Sequence, residues 1–236
     1  MIVSSDNSST TNSEAVSLKI VKPEKIPIEE NFHKVYITSQ ETKSCCTNCL
    51  SKLDNFDKKI SFPLQNYTPS IFLEIIFFIG AKIFNTLTII LYLVFLLIYC
   101  IFIKKNLKIF LIYFCHVVIG ALLTLFAKII IGRERPTLTA KRYFDKVRKN
   151  ETTNSMPSGD SLQAANFAMI MILYLEGNIK FLSLLLIPYS MIGRVFYNCH
   201  YWFDCLVGAF MGIFVSLGTY YFIIYRFNIN KYNLNI

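Results

Sequence analysis

The chain has 236 residues, carries a formal net charge of +9 and is 54% hydrophobic. The apolar residues are unevenly spread, because roughly the first 70 residues are polar and the long apolar runs lie beyond Ile71. This distribution excludes an ordinary soluble domain and favours a polar tail followed by a membrane domain. The excess of Lys and Arg suits loops beside anionic lipid, and since no nucleic-acid recognition motif accompanies it, we expect no nucleic-acid partner.

The N-terminal stretch has too little apolar content to offset the entropy of ordering it. We therefore predict a disordered polar tail over residues 1–50, followed by a juxtamembrane segment over 51–69. No apolar h-region follows Met1, so no signal peptide is expected. Cys45, Cys46 and Cys49 form C-C-x-x-C, for which free thiols, palmitoylation and metal binding all stay open.

Long apolar runs follow, and a helix needs about 20 such residues to cross a bilayer. We predict an all-α fold, a polytopic membrane helix bundle with about six transmembrane helices in residues 70–226, and a short polar tail over 227–236. Gly80, Lys82 and Asn85 separate the first helix from the second. In chain order the predicted helices cover about 70–83, 86–103, 107–131, 160–175, 179–197 and 203–225.

Polar residues interrupt this apolar background in three clusters, and ionisable residues near a membrane mark sites by default. The first cluster is A-K-I-I-I-G-R-E-R-P, from Ala127 to Pro136. Lys128 and Arg135 are seven residues apart, so a continuous helix would stack them on one face, two turns apart. Such a pair forms an anion clamp, and Pro136 would end the helix. Interface cations that snorkel toward water are the alternative.

The second cluster, N-S-M-P-S-G-D-S, occupies residues 154–161 at the start of an apolar run. Pro157 fixes the entry to the predicted fourth helix, Ser158 is placed as its N-cap, and Gly159 lets a ligand approach the backbone. Free amides and the helix dipole make such a terminus an anion site. Ordinary helix-start signals explain the proline, serine and glycine, but not their position beside Asp160.

The third cluster, G-R-V-F-Y-N-C-H-Y-W-F-D, runs from Gly193 to Asp204. His200 and Asp204 are four residues apart, so on one helix the carboxylate would hold one ring nitrogen and leave the other as base or nucleophile. Arg194 adds a third cation. Together the clusters predict a phosphate-ester site. Because no Asp/Glu pair suited to Mg²⁺ stands out, we expect chemistry without a metal or other cofactor.

These residues resemble the three-part signature of the type 2 phosphatidic acid phosphatase superfamily, which includes lipid phosphate phosphatases, polyisoprenoid diphosphate phosphatases and vanadium haloperoxidases. The motifs are K-x6-R-P from Lys128, P-S-G-D from Pro157 and R-x5-H-x3-D from Arg194. One motif alone is weak, but three in order at helix ends are specific. The resemblance covers about 50–225 and implies a membrane enzyme that hydrolyses a lipid phosphate or diphosphate.

The resemblance also implies a role for each matching position. His200 corresponds to the nucleophile that forms a phosphohistidine, and Asp204 corresponds to the residue that orients it. Asp160 stands where the family has the histidine that protonates the leaving group, and Gly193 replaces a serine. The positions that match phosphate-binding residues are Lys128, Arg135, Ser158, Gly159 and Arg194.

The aspartate bears on the substrate, because an isolated Asp has a pKa of ~4 and is a poor general acid at neutral pH. Expelling a phosphate from a diphosphate needs a proton much less than expelling an alkoxide does. Asp160 therefore favours lipid diphosphates, such as polyisoprenoid diphosphates, or acts as a carboxylic acid in the histidine's place. A catalytically impaired lipid-phosphate-binding membrane protein and a lipid phosphotransferase are the alternatives.

Six crossings would place both termini on one side, predicted to be cytoplasmic, and the site on the lumenal or extracellular side of the endoplasmic reticulum or another endomembrane. Lys104, Lys105 and Lys108 suit a cytoplasmic face, although the loop after the third helix is also basic. The sequon at Asn150 agrees with a lumenal loop, whereas the one at Asn66 would lie on the opposite side. The sequence predicts neither the lipid tail nor the oligomeric state.

Overall fold

The computed structural model describes residues 51–104, 107–138, 140–149, 151 and 154–227. These residues form helices and connecting segments without a strand, which confirms the predicted all-α membrane bundle. The predictions for residues 1–50, including Cys45, Cys46 and Cys49, and for the chain beyond Phe227 lie outside the described residues.

The helices follow the predicted order, with one added before the first apolar run and a four-residue helix added at Lys146–Lys149. Among the described residues, four stretches are long and apolar enough to cross a membrane, namely Thr86–Ile103, Lys108–Ile131, Asn178–Phe196 and Trp202–Ile223. In chain order the helices are α1 (51–66), α2 (Ile71–Lys82), α3 (Thr86–Tyr99, continued by the π-helical turn Cys100–Lys104), α4 (Lys108–Ile131), α5 (Lys146–Lys149), α6 (Gly159–Tyr174), α7 (Leu186–Phe196, preceded by the 3₁₀ segment Asn178–Leu185) and α8 (Trp202–Phe227).

The bundle has two edges, and the three polar clusters lie at the same one. There α4 ends, α6 begins, α7 ends and α8 begins, since these helices alternate in direction along the chain. We call this end of the bundle the polar edge. At this edge α8 packs closely on α6, and only glycine allows the approach. A Cβ at Gly208 would lie 2.2 Å from the Ser158 carbonyl oxygen, and one at Gly212 would lie 2.3 Å from the Leu162 carbonyl oxygen.

The helices α2 and α3 form a single broken crossing that starts at the polar edge. Near its start, the Tyr197 hydroxyl donates to the Glu74 carboxylate at 3.4 Å. Midway, the Phe84 ring packs against Phe167 of α6, with ring centroids 5.7 Å apart. Ile89 of α3 then joins the apolar cluster that contains the last residue of α6. The chain thus passes steadily away from the polar edge.

Within the described residues the chain thus passes between the two edges of the bundle five times, by α2 with α3, α4, α6, α7 with its 3₁₀ segment, and α8. The prediction of a separate crossing at 70–83 is corrected, because the 12 residues of α2 are too few to span a bilayer alone. The break is a new helix start, since the Asn85 side chain caps α3 by accepting a hydrogen bond from the Thr88 N–H at 2.9 Å.

Helix α1 also lies at the polar edge, where Ser61 accepts a hydrogen bond from the Trp202 N–H at 3.1 Å. The prediction that the chain before the first crossing lies opposite the site is therefore wrong for residues 51–66. The reason is the number of crossings, because five place the two ends of the bundle on opposite sides. Asn66 of α1 consequently shares an edge with Glu151, the neighbour of Asn150.

Candidate active site

The segment after α4 turns two arginines into the protein. Gly132 ends the helix in the left-handed conformation, with φ 62°. The helix therefore ends where it was predicted to end, at Ile131, and Lys128 and Arg135 do not stack on one helical face, since residues 132–138 are not helical. Arg133 and Arg135 both face inward while Glu134 is exposed, as alternate residues of an extended chain do.

Ser155 and Ser158 join the three polar clusters. The Ser155 N–H donates to the Arg133 carbonyl at 2.8 Å, and its hydroxyl donates to the Glu134 carbonyl at 3.0 Å. Ser158 caps α6 as predicted, because its Oγ accepts a hydrogen bond from the Ser161 N–H at 3.4 Å. The Ser158 N–H donates to the Asp204 carbonyl at 2.9 Å. The approach to α6 is thereby bonded to the other two clusters.

His200 lies buried in the turn between α7 and α8. Its Nε2 is 3.3 Å from an Arg135 nitrogen and 3.4 Å from an Arg194 nitrogen. Guanidinium groups only donate hydrogen bonds, so Nε2 is the acceptor and the ring proton is assigned to Nδ1. Burial and the charges of Arg194 and Arg135 lower the pKa of His200 well below its ordinary value. The imidazole is therefore neutral at pH 7, with a lone pair directed at two cations.

Asp204 faces the other side of the ring, with 3.8 Å between its Oδ2 and His200 Nδ1. The two side chains are therefore neighbours as predicted, but they do not share one helix, because α8 begins at Trp202 and His200 precedes it. Oδ2 instead accepts a hydrogen bond from the Tyr201 N–H at 2.9 Å, as an acidic residue in a helix's first turn can do. Asp204 is thus fixed to the backbone beside the nitrogen that carries the proton.

Arg133 is a site residue that the sequence motifs did not single out. Its guanidinium contacts Asp204 at 2.5 Å, Asp57 at 2.8 Å and Asp54 at 2.6 Å, and it stacks on the Tyr201 ring at 4.4 Å. Two of these carboxylates, Asp57 and Asp204, are fully buried. Arg133 therefore neutralises the buried charge behind His200.

Helix α1 supplies Asp54 and Asp57 from a stripe of polar residues along one face. Asp57 accepts a hydrogen bond from the Phe203 N–H at 3.1 Å, and the Gln65 side chain donates to the His200 carbonyl at 3.4 Å. The stripe, Asp54, Asp57, Ser61 and Gln65, repeats every three or four residues, which is the helical period. That period was a usable signal, but the opposite face carries exposed apolar residues, so the stretch resembled a plain juxtamembrane segment.

Glu151 bridges the two arginines that face His200. Its Oε2 lies 2.9 Å from Arg135, and its Oε1 lies 2.5 Å from Arg194. Burial raises the pKa of Glu151, but the charges of Arg194 and Arg135 outweigh burial and lower the pKa to about 2. Glu151 is therefore an anion at neutral pH. Nothing in its sequence spacing predicted this position.

Asp160 and Lys128 complete the group. Asp160 pairs with Arg194 at 2.9 Å, so Arg194 contacts two carboxylates at once. Lys128 interacts electrostatically with Arg135, Glu151, Arg194 and Asp160. The structure thus brings together all the predicted side chains except that of Ser158, which bonds to Ser161, while Gly159 begins α6 at the same edge.

A cavity of about 580 Å³ opens beside Arg135, between α1 and the segment after α4. Its charged lining has both signs, with Lys58, Arg133 and Arg135 beside Asp54 and Glu134, whereas Leu53 and Met156 contribute apolar surface. A polar group attached to a lipid suits such a mixed lining, because its charged and apolar parts both find partners.

The fold and the site define a helical membrane protein with a buried histidine between cations. Its sequence agrees, because the model of the PAP2 superfamily matches residues 109–228, and the chain belongs to that superfamily. The matched segment contains all three polar clusters and begins after α1, α2 and α3. No curated protein sequence matches the chain.

Two solved structures share the fold. One is a transmembrane PAP2-type phosphatidylglycerolphosphate phosphatase from Bacillus subtilis, with a TM-score of 0.63 and 18% identity, covering 76% of this chain and 88% of that one. The other is LpxE from Aquifex aeolicus, with a TM-score of 0.55 and 20% identity, covering 69% and 93%. At these identities the likeness concerns the fold.

Proposed function

We propose that the protein is an integral-membrane lipid phosphatase that hydrolyses a lipid phosphate or diphosphate through a phosphohistidine on His200. The observation that carries the proposal is the position of Nε2, within 3.4 Å of both the Arg135 and the Arg194 guanidinium groups. A phosphoryl group held by both arginines would present its phosphorus to that lone pair. One of the two structural relatives is a phosphatidylglycerolphosphate phosphatase, which supports a lipid phosphate as the substrate.

In the first step, the Nε2 lone pair attacks phosphorus, and the P–O bond to the lipid breaks as the N–P bond forms. Arg135, Arg194 and Lys128 offset the charge on the equatorial oxygens, which is the main task in phosphoryl transfer. Asp204 stabilises the positive charge that develops on the imidazole. The oxygen of a water molecule then attacks the phosphohistidine, and the N–P bond breaks with its electron pair returning to Nε2. The protons of the water leave on the inorganic phosphate.

The leaving group decides whether the site can work with an aspartate at position 160 in place of a proton-donating histidine. A lipid alkoxide must take up a proton as it leaves, whereas a lipid phosphate expelled from a diphosphate is already a stable anion. Asp160 lies 2.9 Å from Arg194, and a cation at that distance favours the carboxylate over the acid form that could give a proton. We therefore propose a lipid diphosphate, of the polyisoprenoid kind, as the preferred substrate. No metal or cofactor enters this scheme, and metal-independence stays a prediction.

The substitution Asp160→His tests this preference by supplying a proton donor. Wild type is expected to hydrolyse a polyisoprenoid diphosphate faster than phosphatidic acid. Asp160→His is expected to raise hydrolysis of phosphatidic acid by at least about 10-fold, since general acid catalysis contributes about 10²–10⁴-fold. Phosphate release by the detergent-purified full chain measures both rates.

The matched control is Asp160→Asn, which removes the charge without adding a donor and should not raise the rate on phosphatidic acid. A wild-type enzyme that strongly prefers the monophosphate would contradict the diphosphate proposal. An Asp160→His enzyme with no gain on phosphatidic acid would contradict the claim that a missing proton donor at position 160 limits hydrolysis of the monophosphate.

We further propose that the polar edge faces the lumen or the exterior, in the endoplasmic reticulum or another endomembrane. Two sequons support this orientation, because Asn66 and Glu151, the residue after Asn150, lie at that edge while Lys108 lies at the other. Expression in a glycosylating cell is expected to give a glycosidase-sensitive gel shift that the Asn66→Gln, Asn150→Gln double variant lacks. The proposed orientation would be contradicted if a cysteine placed at the edge that contains Lys108 were labelled from outside intact membranes.

A further inference from the structure

The two arginines that would receive the substrate phosphate already hold an anion, the Glu151 carboxylate. We infer that Glu151 determines specificity: it competes for the phosphate position, so that phosphodiester lipids with one negative charge are excluded and terminal phosphate groups with more charge are admitted. This inference rests on the proposed function, because it concerns the same arginines.

The geometry makes the competition direct. Each carboxylate oxygen of Glu151 contacts a different arginine, Oε1 on Arg194 and Oε2 on Arg135. These are the two groups within 3.4 Å of His200 Nε2. A phosphate with two oxygens on the same guanidinium groups would need the positions that Glu151 fills. The carboxylate and the substrate therefore cannot both be bound in this arrangement.

Charge decides which anion wins. The interaction with a pair of guanidinium groups grows in proportion to the charge of the anion. A phosphodiester carries one negative charge, as Glu151 does, so exchanging them gains little. A terminal phosphate approaches two charges near neutral pH, since its second pKa is about 6, and a diphosphate carries more. The tethered carboxylate also competes at an effective concentration on the order of millimolar.

The backbone at Glu151 permits the exchange without unfolding the loop. The Glu151 N–H donates to the Arg148 carbonyl at 3.0 Å, and Arg148 donates to the Glu151 carbonyl at 3.1 Å. The main chain is thus held apart from the arginine contacts. The Glu151 side chain is 25% exposed, so it has access to solvent when a stronger anion arrives. Rotation of one side chain would then open the phosphate position.

The selectivity has a clear use in a membrane. Bulk phospholipids are mostly phosphodiesters and vastly outnumber any lipid phosphate substrate, so an open pair of arginines would be occupied by them. The Glu151 carboxylate lowers the occupancy of the arginines by phosphodiesters, because every phosphodiester must displace a carboxylate that is always present.

The test compares wild type, Glu151→Gln and Glu151→Asp as full chains in mixed micelles. Glu151→Gln keeps the shape and removes the charge. Its hydrolysis of a lipid phosphate is expected to become sensitive to phosphatidylglycerol, a phosphodiester, with the apparent KM rising at least about 10-fold where wild type changes less than about 2-fold. Glu151→Asp keeps the charge on a shorter side chain and should fall between them. Asp145→Asn, which removes an exposed carboxylate from the same loop, should match wild type.

A second readout is independent of turnover. Thermal unfolding in inorganic phosphate should show Glu151→Gln stabilised at about 10-fold lower phosphate concentration than wild type, because a ligand that binds only the folded state raises its stability. If wild type hydrolyses lipid phosphate but Glu151→Gln gains neither phosphate affinity nor phosphatidylglycerol sensitivity, the inference is overturned and the proposed function stands. If no variant hydrolyses lipid phosphate yet Glu151→Gln binds phosphate more tightly, the proposed function fails and Glu151 remains the competing anion.

Discussion

Replacing His200 with alanine is expected to lower hydrolysis of a lipid phosphate or diphosphate by about 10⁴-fold or more, as losing a nucleophile does in other covalent catalysts. The reason is that no other described side chain offers a neutral nitrogen lone pair between Arg135 and Arg194. Wild type quenched during turnover of ³²P-labelled substrate should carry a phosphoryl group that is stable in base and labile in acid, which is typical of phosphohistidine.

The matched control is His116→Ala. His116 is also buried, but it lies in α4 with its Nδ1 against the Ile112 carbonyl at 2.7 Å, far from the arginines. Its loss should cost stability and leave the labelled intermediate in place. If His200→Ala kept full activity, a phosphohistidine on His200 would be excluded. If wild type released no phosphate, a lipid-phosphate-binding protein would explain the site better than an enzyme.

Replacing Arg133 with methionine is expected to destabilise the protein by about 3–5 kcal/mol, the usual effect of leaving buried charges without their partner. Asp57 and Asp204 are fully buried and share this one guanidinium. Hydrolysis should also fall, because Asp204 would lose the contact that fixes it behind His200. The melting temperature of the purified protein and its rate of phosphate release measure the two effects.

Two further variants separate stability from positioning. Lys58→Ala removes a cation that pairs with Asp54 at 2.6 Å but is half exposed, so it should cost about 1 kcal/mol at most. Adding Asp57→Asn to Arg133→Met should restore part of the stability, since one buried charge is then gone, while the rate stays low. Recovery of the rate together with the stability would show that Arg133 has only a structural role.

The reacting groups were predictable because their chemistry is written in short motifs. His200, Arg194 and Asp160 were all identified from local spacing, and the structure brings them together. The backbone conformation that brings these groups together was not predictable from spacing alone. Lys128 and Arg135 suggested one continuous helix, but Gly132 ends it, and the arginines reach the site from a non-helical segment.

The partners of the reacting groups were missed because tertiary contacts select them. Arg133 and Asp54 are 79 residues apart in sequence, and Glu151 meets Arg194 across 43 residues. A single carboxylate in a polar loop carries no mark of such a contact. The division of residues 70–103 into two crossings was not settled by the sequence for a related reason. A polar interruption such as Asn85 can mark either a loop between two crossings or a break within one.

The position of α1 changes what counts as the catalytic unit. The residues that match the superfamily begin at 109, yet Asp54 and Asp57 pair with Arg133, and Gln65 bonds to the backbone of His200. A fragment cut at the limits of sequence similarity would keep every motif residue but lose two carboxylates that hold Arg133 against Asp204 and the side chain that bonds to the backbone of His200. The smallest self-sufficient enzyme therefore begins well upstream of the recognisable signature.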